Sequence, residues 1–258
     1  MNEATAHRLE LARELVSLYA KNEKISVVFV AGSVARGWAD EHSDIELDIL
    51  WKEDPTDEDR MAPIHEANGE IVRFLEWEDN EWSEVYMYKG VKMEMSHFLQ
   101  ETVEGFIRDV TAAFDTDVDK QVLLAAVQNA LPLHGEAVVS ALVESMKYSD
   151  GLREAMLEEY LDFQDAWYYA ALADRDDVVM LHEVMTRVTM RVMSVLCAVN
   201  GLYVAHPRFK WFKQTAEKMV VKPEYLVERI TKAYRSEARE GLAELQKVAE
   251  EVLVLAKQ

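Results

Sequence analysis

Gly32 and Ser33 follow directly on an apolar run, VVFVA at 27–31. A glycine there lets backbone N–H groups come close to a ligand at the start of a helix. Such a helix start carries roughly half a positive charge and suits phosphate oxygens. Ser33 adds a hydroxyl donor. Further on, Asp44, Glu46 and Asp48 alternate with Ile45, Leu47 and Ile49, which puts three acids on one face of a strand. At ~3.3 Å per residue the carboxylates of Asp44 and Glu46 stand about 6–7 Å apart, so both can reach one magnesium ion, or two. Magnesium favours oxygen ligands together with phosphate oxygens and retained water. Three acids on one face are costly to bury unless a cation neutralises them; a solvated strand face is the alternative. Glu94 adds a carboxylate on a later strand, sharing its face with Lys92 and Ser96, while Met93 and Met95 take the other.

The elements that must position these residues follow from periodicity. Residues 3–21 read as an amphipathic helix with Leu9, Leu11, Ala12, Leu15, Val16, Leu18 and Tyr19 on its apolar side. Residues 25–31 are a strand covered on both faces. A short helical turn over 33–38 stops at Gly37, and 44–51 is the second strand. Thr56 or Asp57 caps a helix running to about Phe74. Strands at 81–88 and 91–98 flank Lys89-Gly90, a hairpin signal. From residue 100 the pattern is helical: 100–113, 117–130, 135–147, 151–174, 176–200, 208–220, 223–232 and 235–257, with a break at 131–135. KYSDG at 147–151 marks a boundary. The expected fold class is α+β: a small mixed β-sheet domain with flanking helices, residues 1–148, followed by an all-α helical bundle, residues 149–258.

Bulk properties narrow the function classes. The chain has 258 residues, half of them hydrophobic, enough for a substantial core. The lone cysteine, Cys197, reads as a small buried hydrophobe and allows no internal disulfide, which fits a reducing, cytoplasmic setting. No run of ~18 apolar residues is present, and the N-terminus lacks a basic segment followed by an apolar run, so neither a membrane span nor a signal peptide is expected. A net charge of −20 repels a phosphate backbone. Nucleic acid is therefore not an expected partner, and RFKWFK at 208–213 is too small a basic cluster for a groove. Acidity suits a small or cationic partner, or simply keeps the protein soluble. Both a monomer and a homodimer are open.

Gly-Ser, then SDIE at 43–46, then Glu94 in VKMEM at 91–95 resembles the nucleotidyltransferase superfamily built on the DNA polymerase beta type fold. Among its members the chain is most similar to bacterial lincosamide and aminoglycoside nucleotidyltransferases, over about residues 27–96. The resemblance implies transfer of a nucleoside monophosphate, AMP from ATP, onto a hydroxyl of a small molecule such as an antibiotic. In that chemistry one or two Mg2+ ions bridge the phosphates, the hydroxyl attacks the α-phosphorus in line and pyrophosphate leaves. Gly32 and Ser33 would hold the terminal phosphates, Asp44 and Glu46 would ligate metal, and Glu94 would be general base or a further ligand. Asp48 departs from the family pattern, which often has an uncharged residue there; a solvated strand end is one explanation. Arg36 can reach a phosphate or pair with Asp40 or Glu41.

In the helical half, Glu158, Asp162, Asp165 and Tyr169 fall at i, i+4, i+7 and i+11. On one continuous helix they would make an acidic stripe for a cationic acceptor, or a solvated face. Glu183, Arg187 and Arg191 form a second stripe, suited to surface ion pairing or to nucleotide phosphates. Tyr203, Lys210 and Trp211 either frame a cleft or pack in a core. His97 and His182 have no metal-ligand spacing and read as structural. Two further readings stay open: a protein-modifying nucleotidyltransferase, and a non-catalytic, antitoxin-like module that keeps the fold.

Overall fold

The structure, a computed structural model, describes residues 2–257. In chain order the elements are α1 (Glu3–Tyr19), β1 (Ile25–Val30), α2 (Gly32–Ala35), β2 (Ile45–Trp51), α3 (Asp57–Glu66), β3 (Glu70–Glu78), β4 (Glu81–Tyr88) and β5 (Val91–Leu99). There follow α4 (Gln100–Ala112), α5 (Val118–Gln128), β6 (Leu131–His134), α6 (Glu136–Ser145) and α7 (Asp150–Tyr160). The chain continues with α8 (Asp165–Tyr168), α9 (Ala171–Asp174), α10 (Val178–Val199), α11 (Phe212–Glu217), α12 (Leu226–Arg235) and α13 (Ala238–Leu255). The fold is α+β, with a mixed sheet early in the chain and helices after it. Two compact units form: residues 1–108 with 123–146, and residues 109–122 with 147–258.

The first unit holds a six-stranded sheet in the order β3-β4-β5-β2-β1-β6. Only β2 and β5 run parallel; the other pairs are antiparallel. Every residue of β1 is buried, as its unbroken apolar sequence requires of a central strand. One sheet face carries Ile45, Leu47, Ile49, Met93 and Met95, which join Leu9, Ala12, Leu15, Val16 and Tyr19 of α1 in a single core. Asn2 caps α1 by accepting a hydrogen bond from the Thr5 N–H at 2.8 Å.

Two stretches differ from the sequence expectation within this unit. The helix starting at Thr56 does not reach Phe74. Thr56 and Asp59 form a reciprocal capping box, but Asn68 adopts a left-handed conformation (φ 54°) and Gly69 N–H bonds back to Ile64 O at 2.8 Å. That closes the helix, and residues 70–78 become edge strand β3. The break at 131–135 is likewise a strand, because Leu131–His134 pairs with β1. Gly135 then turns with φ 75°, and a Cβ there would overlap the Ser26 carbonyl.

Beneath β4 and β5 lies a buried polar chain. Arg60, fully buried, donates to Glu84 Oε2 through Nε at 3.1 Å and Nη2 at 2.9 Å, and through Nη2 to Leu75 O at 2.7 Å. His97 Nε2 donates to Glu84 Oε1, and Trp51 Nε1 donates to His97 Nδ1 at 3.0 Å. The Trp51 donor fixes the imidazole as the neutral Nε2–H tautomer. His97 is therefore structural.

In the second unit, α10 is apolar along most of its length and packs against α7 and α13. Cys197 is buried in it, and burial pushes its thiol up to about 12. The expected helix over 151–174 is broken. α7 ends at Tyr160, Asp162 accepts from the Gln164 N–H at 2.9 Å in a side-chain turn, and Phe163 drops into the core. Among the described residues no helix is long and apolar enough to cross a membrane.

Candidate functional site

β2 and β5 are the frame. Their parallel register places Glu46 opposite Glu94 and Asp48 opposite Ser96. Asp44 directly precedes β2, so Asp44, Glu46, Asp48, Lys92, Glu94 and Ser96 share the sheet face opposite the core against α1. The loop leading into β2 is pinned by α1: Arg8, itself buried, donates to Ser43 O at 2.6 Å and Glu41 O at 3.0 Å, and Asn2 donates to Ala39 O at 2.9 Å. Asp40 and Ser43 bond each other within the loop, and these bonds pull the Asp40 carboxyl below its usual range, Ser43 contributing most.

Gly32 begins α2 with φ 60°, and Ser33 behind it is buried. The Glu46 carboxylate lies against Gly32 so closely that a Cβ on this residue would overlap it. Phosphate-suited turn and acidic strand are thus in contact, not merely close in sequence. Glu46 has further interactions within the protein.

Asp44 and Glu94 are joined by one cation. The Lys92 ammonium lies 2.8 Å from Asp44 Oδ2 and 2.6 Å from Glu94 Oε1, and the two carboxylates, Asp44 first, hold it above the usual lysine range. Asp44 is mostly buried, whereas Lys92 is 45% exposed and can swing away. That Lys92 reaches across to Asp44 on the neighbouring strand is not visible in the sequence. Alternation along β5 was the available signal, since Lys92 sits two residues before Glu94 on the same face.

Asp48 is not a solvated strand end. It is 7% exposed; burial pushes its carboxyl well above the usual range, Glu46 and Glu81 push the same way, and Arg36 opposes them. Arg36 lies over the Trp38 ring at 5.6 Å. Burial lowers its pKa while Glu46 and Asp48 draw it up. Among the described residues Arg36 forms no ion pair with Asp40 or Glu41.

Three observations bear on a divalent cation. Asp44, Glu46 and Glu94 are all-oxygen donors of the kind magnesium takes. Two of them already share a positive charge. Glu46 and Asp48 crowd like charges that a cation would relieve. These are the donor types magnesium takes, but among the described residues no three His, Cys, Asp or Glu side chains are gathered as a ready metal cage. Lys92 holds the place between Asp44 and Glu94 instead.

The helical constellation does not form the expected stripe. With the helix broken after Tyr160, Glu158 is on α7, Asp162 is in the connecting turn, Asp165 opens α8 and Tyr169 follows it. Asp165 pairs with Arg187 at 3.1 Å, and Tyr169 lies under the same guanidinium at 5.9 Å. Arg187 also meets Glu183 at 3.0 Å, the i, i+4 pair read from the sequence. Arg191 instead donates to the carbonyls of Glu159 and Asp162, both at 3.2 Å. Tyr203 is buried beside Tyr148, with ring centres 5.3 Å apart, so it is a packing residue.

No family model matches the chain. No curated protein matches it either. A crystal structure of a nucleotidyltransferase-like protein from Exiguobacterium sibiricum 255-15 is similar to it over 95% of this chain and 74% of that one, at 11% identity and a TM-score of 0.37. Likeness at that level carries no weight for fold or function.

Proposed function

We propose that the face formed by Gly32, Ser33, Asp44, Glu46 and Glu94 transfers a nucleoside monophosphate, AMP from ATP, to a hydroxyl of a small molecule. The observation that carries this is the contact of the Glu46 carboxylate with Gly32. A phosphate held by the Gly32-Ser33 turn stands beside that carboxylate, and two anions so placed require a cation between them. Asp44, Glu46 and Glu94 would hold magnesium there. When bound, it neutralises the phosphate oxygens and the charge of the departing pyrophosphate.

The chain's own residues supply the rest. Gly32 gives close backbone approach, and Ser33 adds a hydroxyl next to it. Arg36, over the Trp38 ring and in the field of Glu46 and Asp48, would offer a guanidinium to phosphate oxygens. Glu94, 41% exposed, is the carboxylate best able to take a proton from an acceptor hydroxyl once Lys92 releases it. Residues 149–258 are the proposed acceptor-binding part, and an aminoglycoside or lincosamide antibiotic is the first acceptor class to try. The test is incubation with ATP, magnesium and a panel of such acceptors, followed by mass spectrometry of the acceptor. A mass gain of one nucleoside monophosphate supports the proposal; no gain on any hydroxylated small molecule, with nucleotide bound, refutes it.

A second reading, a non-catalytic module that keeps the fold, is favoured by the absence of a ready metal cage among the described residues and by the seat of Lys92. Thermal unfolding with ATP and magnesium separates the two. A ligand that binds only the native state must stabilise it, and no rise at millimolar nucleotide favours the second reading.

A further inference from the structure

The second unit contains a cavity of about 590 Å³, within the range of small-molecule sites. Its wall is mainly apolar, with Tyr160 from the end of α7, Met190 from α10, and Val204 and Phe209 from the segment after α10. Its polar groups converge from successive turns of one helix, since Glu183, Arg187 and Arg191 stand at i, i+4 and i+8 on α10. Arg187 gives one terminal nitrogen to Asp165 and the other to Glu183, which leaves its Nε buried with no hydrogen-bond partner. Arg191 spends Nη1 on two carbonyls at 3.2 Å each. Its Nε and Nη2 find no partner among the described residues.

A buried N–H of a charged group without an acceptor is costly, and native structures normally supply one. The missing acceptor marks what the cavity takes. Arg187 is already paired with Glu183 and Asp165, which leaves Arg191, tied only to carbonyls, as the positive charge in the wall without an acidic partner among the described residues. That balance suits one anionic group, whereas a triphosphate brings several and a cationic amino sugar brings the wrong sign. The planar fork of Arg191 favours a carboxylate.

We infer that this cavity binds a small amphipathic carboxylate, its apolar body against Tyr160, Met190, Val204 and Phe209 and its carboxylate on Arg187 and Arg191. Binding there does not depend on nucleotidyl transfer, and the pocket is assigned on its own chemistry.

Calorimetric titration of the full-length protein with octanoate tests this, with octylammonium and octanol as controls. Octanoate is expected to bind at least about tenfold more tightly than either control, the size of one charge-assisted hydrogen bond. Arg191→Met is expected to remove that preference. Arg191 also ties α7 to α10, so Met190→Trp, which fills the cavity without touching a charge, serves as the second variant; it is expected to abolish binding with an unchanged circular dichroism spectrum. Equal binding of all three compounds overturns the inference. So does octanoate binding that persists in Met190→Trp, or no heat of binding for octanoate at millimolar concentration.

Discussion

Glu46 rests its carboxylate against the backbone of Gly32, at a position where no Cβ fits. Any side chain at residue 32 must therefore either displace Glu46 or abandon φ 60°. Gly32→Ala is expected to lower stability by about 1–2 kcal/mol from the left-handed conformation alone. On the proposed chemistry it is also expected to cut nucleotidyl transfer by at least about a hundredfold, because the carboxylate proposed to hold the metal moves. Chemical unfolding and a turnover assay on the same preparation check both. Near-normal turnover in a folded Gly32→Ala would show that the contact is incidental.

Lys92 bridges Asp44 and Glu94 at 2.8 and 2.6 Å. On the proposed chemistry it competes with magnesium for two of the three carboxylates. Lys92→Met is expected to tighten magnesium binding by about two- to fivefold, the scale of one partly exposed ion pair. Magnesium-dependent thermal unfolding reads this directly. A weaker magnesium response in the variant would make Lys92 a helper of the site and not its occupant.

The Arg60–Glu84–His97–Trp51 chain should govern stability alone. Glu84→Gln leaves the buried Arg60 guanidinium with only the exposed Asp57, 3.6 Å away, as counter-charge, at a cost of about 3–5 kcal/mol. The melting temperature is expected to fall by roughly 10 °C or more. His97→Gln should cost less, because it leaves the Arg60–Glu84 pair intact. A Glu84→Gln protein with unchanged melting would mean that the pair is worth little.

Asp59 supplies an acid-side limit. Burial pushes its carboxyl up, but Thr56, Lys24 and Asn22 outweigh this and bring it down to about 2. Its folded pKa lies below the unfolded value, so its contribution of about 2 kcal/mol is present above ~pH 4 and is lost as the pH falls toward 2. Urea unfolding of wild type and Asp59→Asn should differ by that amount near neutrality and converge in acid. A gap that stays constant with pH would assign the effect to packing.

Much of this was legible in the sequence because it rests on short-range pattern. The alternation from Asp44 to Ile49 and from Val91 to Phe98 locates β2 and β5, and the Gly-Ser turn locates α2. Pairing register was not legible: nothing local says that Glu46 stands opposite Glu94, or that β6 joins β1. Two errors came from reading helix where a turn intervenes, at Asn68-Gly69 and at Asp162. In each a short polar side chain or a left-handed residue overrides the apolar spacing. The second error had created the acidic stripe that made a cationic acceptor attractive in the helical half; the break after Tyr160 removes it. The ties of Arg8 to Glu41 and Ser43 bridge distant parts of the chain and leave no trace in spacing.

The most direct test is pyrophosphate release from ATP by wild type and Glu46→Gln, with an acceptor that wild type modifies, with magnesium and after its chelation. Wild type with magnesium is expected to release pyrophosphate, chelation to stop it, and Glu46→Gln to reduce it by at least about a hundredfold while staying folded. Equal release by wild type and Glu46→Gln, or release unaffected by chelation, would contradict a metal-assisted transfer site at Gly32 and Glu46.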